Sequence, residues 1–221
     1  MGRVNSNDAQ SNDTISLDQL VEWLHQFSTL VNQNKGYLTE LDSAIGDADH
    51  GSNMSRGMTA VLDQLPSEGP VDAMFKKVGM TLVSSVGGAS GPLYGTFFMR
   101  LAPALGSNDA VPAASLASAL RAGLDGVVSR GKAELGDKTM VDAMGPAVDA
   151  IEKSLSAGES LAEATRAGAD AARGGREATI PLVARKGRAS YLGERSKGHQ
   201  DPGATSTTYL FEALAASLDG V

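Results

Sequence analysis

Cysteine is absent from the 221 residues. That excludes a disulfide framework, thiolate-bound zinc, iron–sulfur clusters and thiol catalysis. Aromatic side chains make up only 5% of the chain, so a core of Ala, Leu, Val and Met is expected. No apolar run approaches the roughly 20 residues that span a bilayer. Basic residues do not predominate either: 19 Lys and Arg stand against 26 Asp and Glu, for a net charge of −7. A bulk surface for nucleic acid or anionic lipid is therefore not expected. No segment alternates apolar and polar residues with a period of two, so strands are not expected. The start, Met1 to Thr14, is polar and has no apolar centre. It does not read as a signal peptide. It reads as a disordered arm over 1–14, followed by one domain over 15–221. A soluble cytoplasmic protein is the expectation, with no nucleic acid and no membrane among its partners.

What the chain does have is helical periodicity. From Ser16 to Leu38 the apolar residues Leu17, Leu20, Val21, Leu24, Phe27, Leu30 and Val31 fall at spacings of three and four. Ser16 and Gln19 form a capping-box start. Similar stripes predict helices over about His50–Leu65, Val71–Ser85, Ser90–Leu105 and Pro112–Gly131. A sixth follows Asp137, a candidate N-cap. A seventh covers Leu161 to about Val183, weakened by Gly174, Gly175 and Pro181. The eighth starts near Pro202. Eight helices with short links predict an all-α fold, a bundle or barrel.

Glycine is plentiful, 26 residues, and much of it sits between the helices. Four loops are long and rich in small or charged residues: 42–53, 87–91, 131–139 and 185–203. They follow alternate helices, so an up-and-down bundle would bring them to one end.

The first loop contains Asp42, Asp47 and Asp49. In a helix Asp47 and Asp49 would point roughly 200° apart; in a turning segment they face one side. Gly46 and Gly51 would permit such a backbone. Three carboxylates about 5 Å apart repel by about 3 kcal/mol per pair, and hard oxygen ligands suit Mg2+. A calcium-hand loop is excluded, since Gly51 and Met58 stand where it needs oxygen ligands. A solvated turn in which Asp49 merely caps the next helix fits equally well. The second loop, Gly87-Gly88-Ala89-Ser90-Gly91-Pro92, lets backbone N–H groups approach an anion at a helix N-terminus. Tight helix packing explains it too. It is neither a Walker A loop, a dinucleotide fingerprint nor a nucleophile elbow. In the third, Lys132 and Lys138 read as solvated surface. Residues 185 to 197 gather five of the chain's basic side chains against Glu194 alone. That favours an anionic ligand such as a phosphate chain. His25 reads as surface, and His50 and His199 as structural. No lysine lies in an apolar segment that would lower its pKa and suit it to Schiff-base chemistry. Together these parts suit a nucleotide site for phosphoryl transfer.

The segments LDSAIGDADHGSN (41–53), GMTLVSSVGGASGPLYGTFF (79–98), SRGKAELGDKTM (129–140) and ARKGRASYLGERSKGHQDPGATS (184–206) resemble the nucleotide-binding L subunit of dihydroxyacetone kinase. The likeness extends over about Ser16 to Leu218. It implies an eight-helix antiparallel barrel with the nucleotide, ADP or ATP, at one end. It assigns Asp42, Asp47 and Asp49 to two Mg2+ ions. Around the nucleotide it places His50, Gly51, Ser52, Asn53, Ala89, Ser90, Gly131, Met140, Arg188, Asp201, Pro202 and Gly203. By the same resemblance Arg188 would be the phosphate-facing, catalytic arginine and Met140 would pack beside the base.

The resemblance also implies a separate K subunit that holds dihydroxyacetone covalently through a histidine. In one branch ADP stays bound and is recharged by a phosphohistidine subunit of the phosphoenolpyruvate phosphotransferase system. In the other ATP is consumed, with dihydroxyacetone or another ketose as acceptor. A chain of L alone fits the first branch better. A non-catalytic regulator docking on a transcription factor, a homodimer, and a nucleotide domain of fatty-acid-kinase type are the further readings.

Overall fold

The computed structural model describes residues 14–66 and 68–218. The expected polar arm lies outside them except for Thr14. Among the described residues, nine α-helices follow one another: α1 (Leu17–Gln33), α2 (Lys35–Ile45), α3 (His50–Leu62), α4 (Val71–Ser85), α5 (Ser90–Leu105), α6 (Ala113–Gly131), α7 (Val141–Ser156), α8 (Leu161–Ala178) and α9 (Pro202–Ala216). α1 packs on α3, each later helix packs on the next, and α9 returns to α1. The ring closes as the expected eight-helix barrel. α2 is an addition, seated between α3 and α9. No helix among these residues is long and apolar enough to cross a membrane.

The expected first helix is in fact two. Asn34 turns its amide back to the carbonyl of Leu30, 2.8 Å away, which competes with helix continuation. The chain restarts at Lys35 and runs on to Ile45. Asp42 is thereby helical, not part of the loop. The capping box at Ser16 forms as expected, with Gln19 reaching back to the Ser16 amide at 2.9 Å.

Two further expectations fail. The core is not purely aliphatic. Trp23, Phe27, Phe75, Phe97, Phe98 and Phe211 are all fully buried. Phe75 stacks on Phe98 with ring centroids 5.9 Å apart, and Phe97 meets Phe98 edge-on at 5.2 Å. Trp23 satisfies its indole N–H on the Leu210 carbonyl at 2.8 Å. Aromatics are few, but the large ones are spent in one cluster. There is also a small sheet. Strand β1 (Thr14–Ser16) pairs antiparallel with β2 (Ala110–Pro112), Ile15 opposite Val111. Three residues are too short to show alternation, and Thr14 belongs to this ladder and not to the arm.

α8 ends at Ala178, short of the expected Val183. Its two glycines have different reasons. A Cβ on Gly175 would stand 2.1 Å from the Asp142 carbonyl, because α7 and α8 nearly touch there, whereas Gly174 faces open space. Gly174→Ala should therefore stabilise by about 0.5–1 kcal/mol. Gly175→Ala should destabilise by about 1–3 kcal/mol through overpacking. Denaturant melts of the two variants should move in opposite directions.

Candidate functional site

All four long loops open at one end of the barrel. They enclose a cleft of about 410 Å3, a size usual for small-molecule sites.

Its acidic side is built from α2 and the turn into α3. Asp42, in the last turn of α2, is buried. One of its oxygens accepts the backbone N–H groups of Asp49 at 2.8 Å and His50 at 3.1 Å. Asp42, Asp47 and Asp49 each offer a carboxylate oxygen, and these lie within 4.8 Å of one another. Asp49 makes no side-chain cap on α3, so its carboxylate is left to the cluster. The glycines serve closeness, not the turning backbone expected of them. A Cβ on Gly46 would stand 2.0 Å from Asp42 Oδ1, and one on Gly51 would stand 2.2 Å from the Lys35 carbonyl. The left-handed residue is Ala48, at φ 61°. This donor set fits a hard divalent cation. A positive group already answers it: an Arg188 guanidinium nitrogen lies 2.9 Å from Asp47.

His50 opens α3 and is buried. Its ring bridges two hydroxyls, Ser206 at 2.9 Å and Ser90 at 3.2 Å. Tyr94 continues the chain, 2.7 Å from Ser206 and 3.0 Å from Thr207. Burial pulls the His50 pKa down to about 4, against the opposing charges of Asp42 and Asp49. The imidazole is neutral at physiological pH.

The glycine loop leads into α5, with Gly88 at φ 64°. Gly87 lies against Asn53, leaving no room for a Cβ. Arg56 holds that amide, donating to Asn53 Oδ1 at 2.7 Å and to the Ser85 carbonyl at 2.9 Å. Asn53 thus stands behind the loop. Of the residues singled out from the sequence, Gly51, Ser52 and Asn53 do not line the cleft; Asp42, Asp47, Asp49, His50, Ala89, Ser90, Gly131, Met140, Arg188, Asp201, Pro202 and Gly203 do.

The third loop departs most from expectation. Lys132 is exposed, but Lys138 is 1% exposed and sits at φ 64°. Its ammonium donates to the carbonyls of Thr179 at 2.7 Å, Leu182 at 3.1 Å and His199 at 2.5 Å, with Ile180 at 3.4 Å. Burial lowers its pKa, while Asp201 and Asp142 oppose the shift. A lysine with a lowered pKa is therefore present, though its amine is fully engaged. Asp137 does not cap α7, which begins at Val141. It accepts instead from the Glu134 amide at 2.9 Å, and Asp142 takes the amides of Gly136 and Thr139.

In the fourth loop a 3-10 segment, Arg188–Ser196, follows Gly187 at φ 67°. Ala189 is buried against Ile45 and Ala184. Asp201 caps α9, accepting the Ala204 amide at 2.6 Å. Burial, helped by Asp142 and Asp42, raises its pKa to about 7, against the Ala204 hydrogen bond and Lys138.

Leu93, Val127 and Val141 give the cleft an apolar wall beside Met140. None of these three is among the residues singled out from the sequence. Their place in the helix turns next to the loops was the available signal.

A family model described as the DAK2 domain matches residues 44–216. The chain belongs to the DAK2 domain family. It is 48% identical over 204 residues to the PEP-dependent dihydroxyacetone kinase, ADP-binding subunit DhaL, of Escherichia coli, covering 91% of this chain and 97% of that protein. Against the PTS-dependent subunit of the same name from Lactococcus lactis the identity is 43%, covering 90% and 97%. The crystal structure of the dihydroxyacetone kinase from C. freundii in complex with AMP-PNP and Mg2+ superimposes with a TM-score of 0.68 at 26% identity. That match takes in 98% of this DAK2 chain but only 35% of the other, so the chain spans about a third of that kinase.

Two buried groups of the DAK2 domain titrate with opposite sign. The unfolded chain protonates its histidine near 6.5 and folded His50 only near 4. Stability present above pH 6.5 is therefore lost as pH falls toward 4, by about 3 kcal/mol. Folded Asp201 keeps its proton up to about pH 7, against an ordinary 3.8. Its contribution rises as pH falls through that window. In denaturant titrations of metal-free protein, His50→Gln should lessen the loss on acidification. Asp201→Asn should steepen the net loss.

Proposed function

We propose that this DAK2 domain, taken as one unit over 14–221, is the nucleotide-binding subunit of a dihydroxyacetone kinase working in the cytoplasm. In this reading it holds Mg·ADP, which a phosphohistidine subunit of the phosphoenolpyruvate-dependent system recharges in place. The observation that carries it is the cluster of Asp42, Asp47 and Asp49, facing Arg188 within one cleft. The near end-to-end match to the Escherichia coli and Lactococcus lactis subunits supports the choice of donor.

Each part of the cleft has a task in this reading. Asp42, Asp47 and Asp49 would hold Mg2+, as two ions in this reading, which when bound would supply charge neutralisation to the phosphoryl group. Asp42 is oriented by two backbone N–H groups on one of its oxygens. Gly87 to Ala89 bring backbone N–H groups to phosphate at the N-terminus of α5. Arg188, 67% exposed and held at Asp47 by one ion pair, offers its planar fork to phosphate oxygens. Leu93, Val127, Met140 and Val141 receive the base. Covalent capture of the ketone falls to a separate K subunit. Here the buried amine of Lys138 is committed to carbonyls and His50 to hydroxyls.

Asp47→Ala and Asp49→Ala should each weaken Mg·ADP binding by at least about a hundredfold, or about 2.7 kcal/mol, with helical content unchanged. Calorimetry showing undiminished ADP affinity in excess EDTA would refute the reading. Arg188→Lys, lacking the fork, should also bind more weakly. The purified chain alone should not phosphorylate dihydroxyacetone. A K subunit with the phosphohistidine donor should restore turnover, and K with ATP alone should support little.

A further inference from the structure

Lys138 is the buried charge that the proposed chemistry leaves without a task. A buried ammonium is tolerated only when its hydrogens are taken up, and its three donors are matched here by carbonyls. Which carbonyls they are is informative. Leu182 and His199 are the two ends of the segment that carries Arg188. The ammonium lies 3.1 Å from one and 2.5 Å from the other. Asp137, the preceding residue, takes the Arg185 amide on its own carbonyl at 3.1 Å. That third hold lies three residues before Arg188. The stem is closed further by the Gly198 amide on the Ile180 carbonyl at 2.8 Å, and by the Ala184 amide on Ser196 Oγ at 2.8 Å. The backbone of Lys138 is left-handed, a conformation that favours glycine and that side chains enter at a cost. The side chain is what the position needs.

We propose that Lys138 is a positioning residue for phosphoryl transfer: its ammonium grips both ends of the basic loop and so sets where Arg188 meets the phosphate. This rests on the nucleotide reading above. Of the 16 residues between Leu182 and His199, Ala184, Ala189 and Ser196 are buried and the others are exposed or half-buried, and the Arg188 guanidinium is held by an ion pair to Asp47. With the stem released, the guanidinium samples more positions. The transition state, which needs it in one place, loses more than the ground state does.

The test is a double-mutant cycle on the full chain, with calorimetric Mg·ADP affinity as readout. Lys138→Gly suits the left-handed backbone, so it removes the grip without adding strain. It should weaken binding roughly tenfold in the wild-type background and less than about twofold in an Arg188→Ala background. Equal losses in both backgrounds, or no loss, overturn the proposal. A wild-type chain that does not bind Mg·ADP at all fails the nucleotide reading instead. If Lys138→Gly does not fold, nitrogen-15 spectra of the wild-type lysines decide. One slowly exchanging ammonium, coupled across hydrogen bonds to the Leu182 and His199 carbonyls, is expected. Absence of any protected ammonium overturns the proposal.

Discussion

Three carboxylates whose oxygens lie within 4.8 Å of one another form an arrangement that a folded chain holds against its own repulsion. Much of the open end of the barrel can be read as an answer to that repulsion. The start of α3 is aimed at Asp42, so two amides at a positive helix end share its charge. Gly46 stays bare because a Cβ would occupy the place of Asp42 Oδ1. Gly51 lets α3 lie close enough against α2 for the geometry to hold. Arg188 arrives from a distant loop and pairs with Asp47. The negative centre and the positive loop are thus built by separate parts of the chain and meet across the cleft.

The other end of the molecule has a different logic. The closed ring of helices buries Trp23 and all five phenylalanines, while ion pairs from Arg121 to Asp149 and Glu152 and from Arg173 to Glu212 join neighbouring helices around them. The loops depend on the ring, because their ends are helix ends. The stripe of buried hydroxyls on α9, from Thr205 to Thr208, joins the two regions. It belongs to a core helix, yet Ser206 and Thr207 bond to Tyr94, and Ser206 also to His50.

The sequence made the architecture and the carboxylate cluster legible because both are written in local spacing. Apolar stripes marked the barrel helices, and Asp47 and Asp49 sat two apart between glycines. What stayed hidden depends on contacts remote in sequence. The break at Asn34 turns on one side-chain amide competing with a helix. The burial of Lys138 could not be read from its polar neighbours, since its partners lie 41 to 61 residues away. Val127 and Val141 looked like any other core positions until the loops beside them opened a cleft. The ladder between Ile15 and Val111 is too short for any periodic signal.

A neutral imidazole carries one proton, and the partners of His50 decide where it sits. With the proton on Nε2 the ring donates to Ser206 and accepts the hydroxyl proton of Ser90; with it on Nδ1 both roles reverse. Ser206 also lies 3.1 Å from the Gly203 carbonyl and 2.7 Å from the Tyr94 hydroxyl. Hydroxyls from α5 and α9 and the ring between them therefore share one set of protons. What Ser90 can offer the cleft is tied to that tautomer: its own proton is free for a phosphate only when the ring donates from Nδ1.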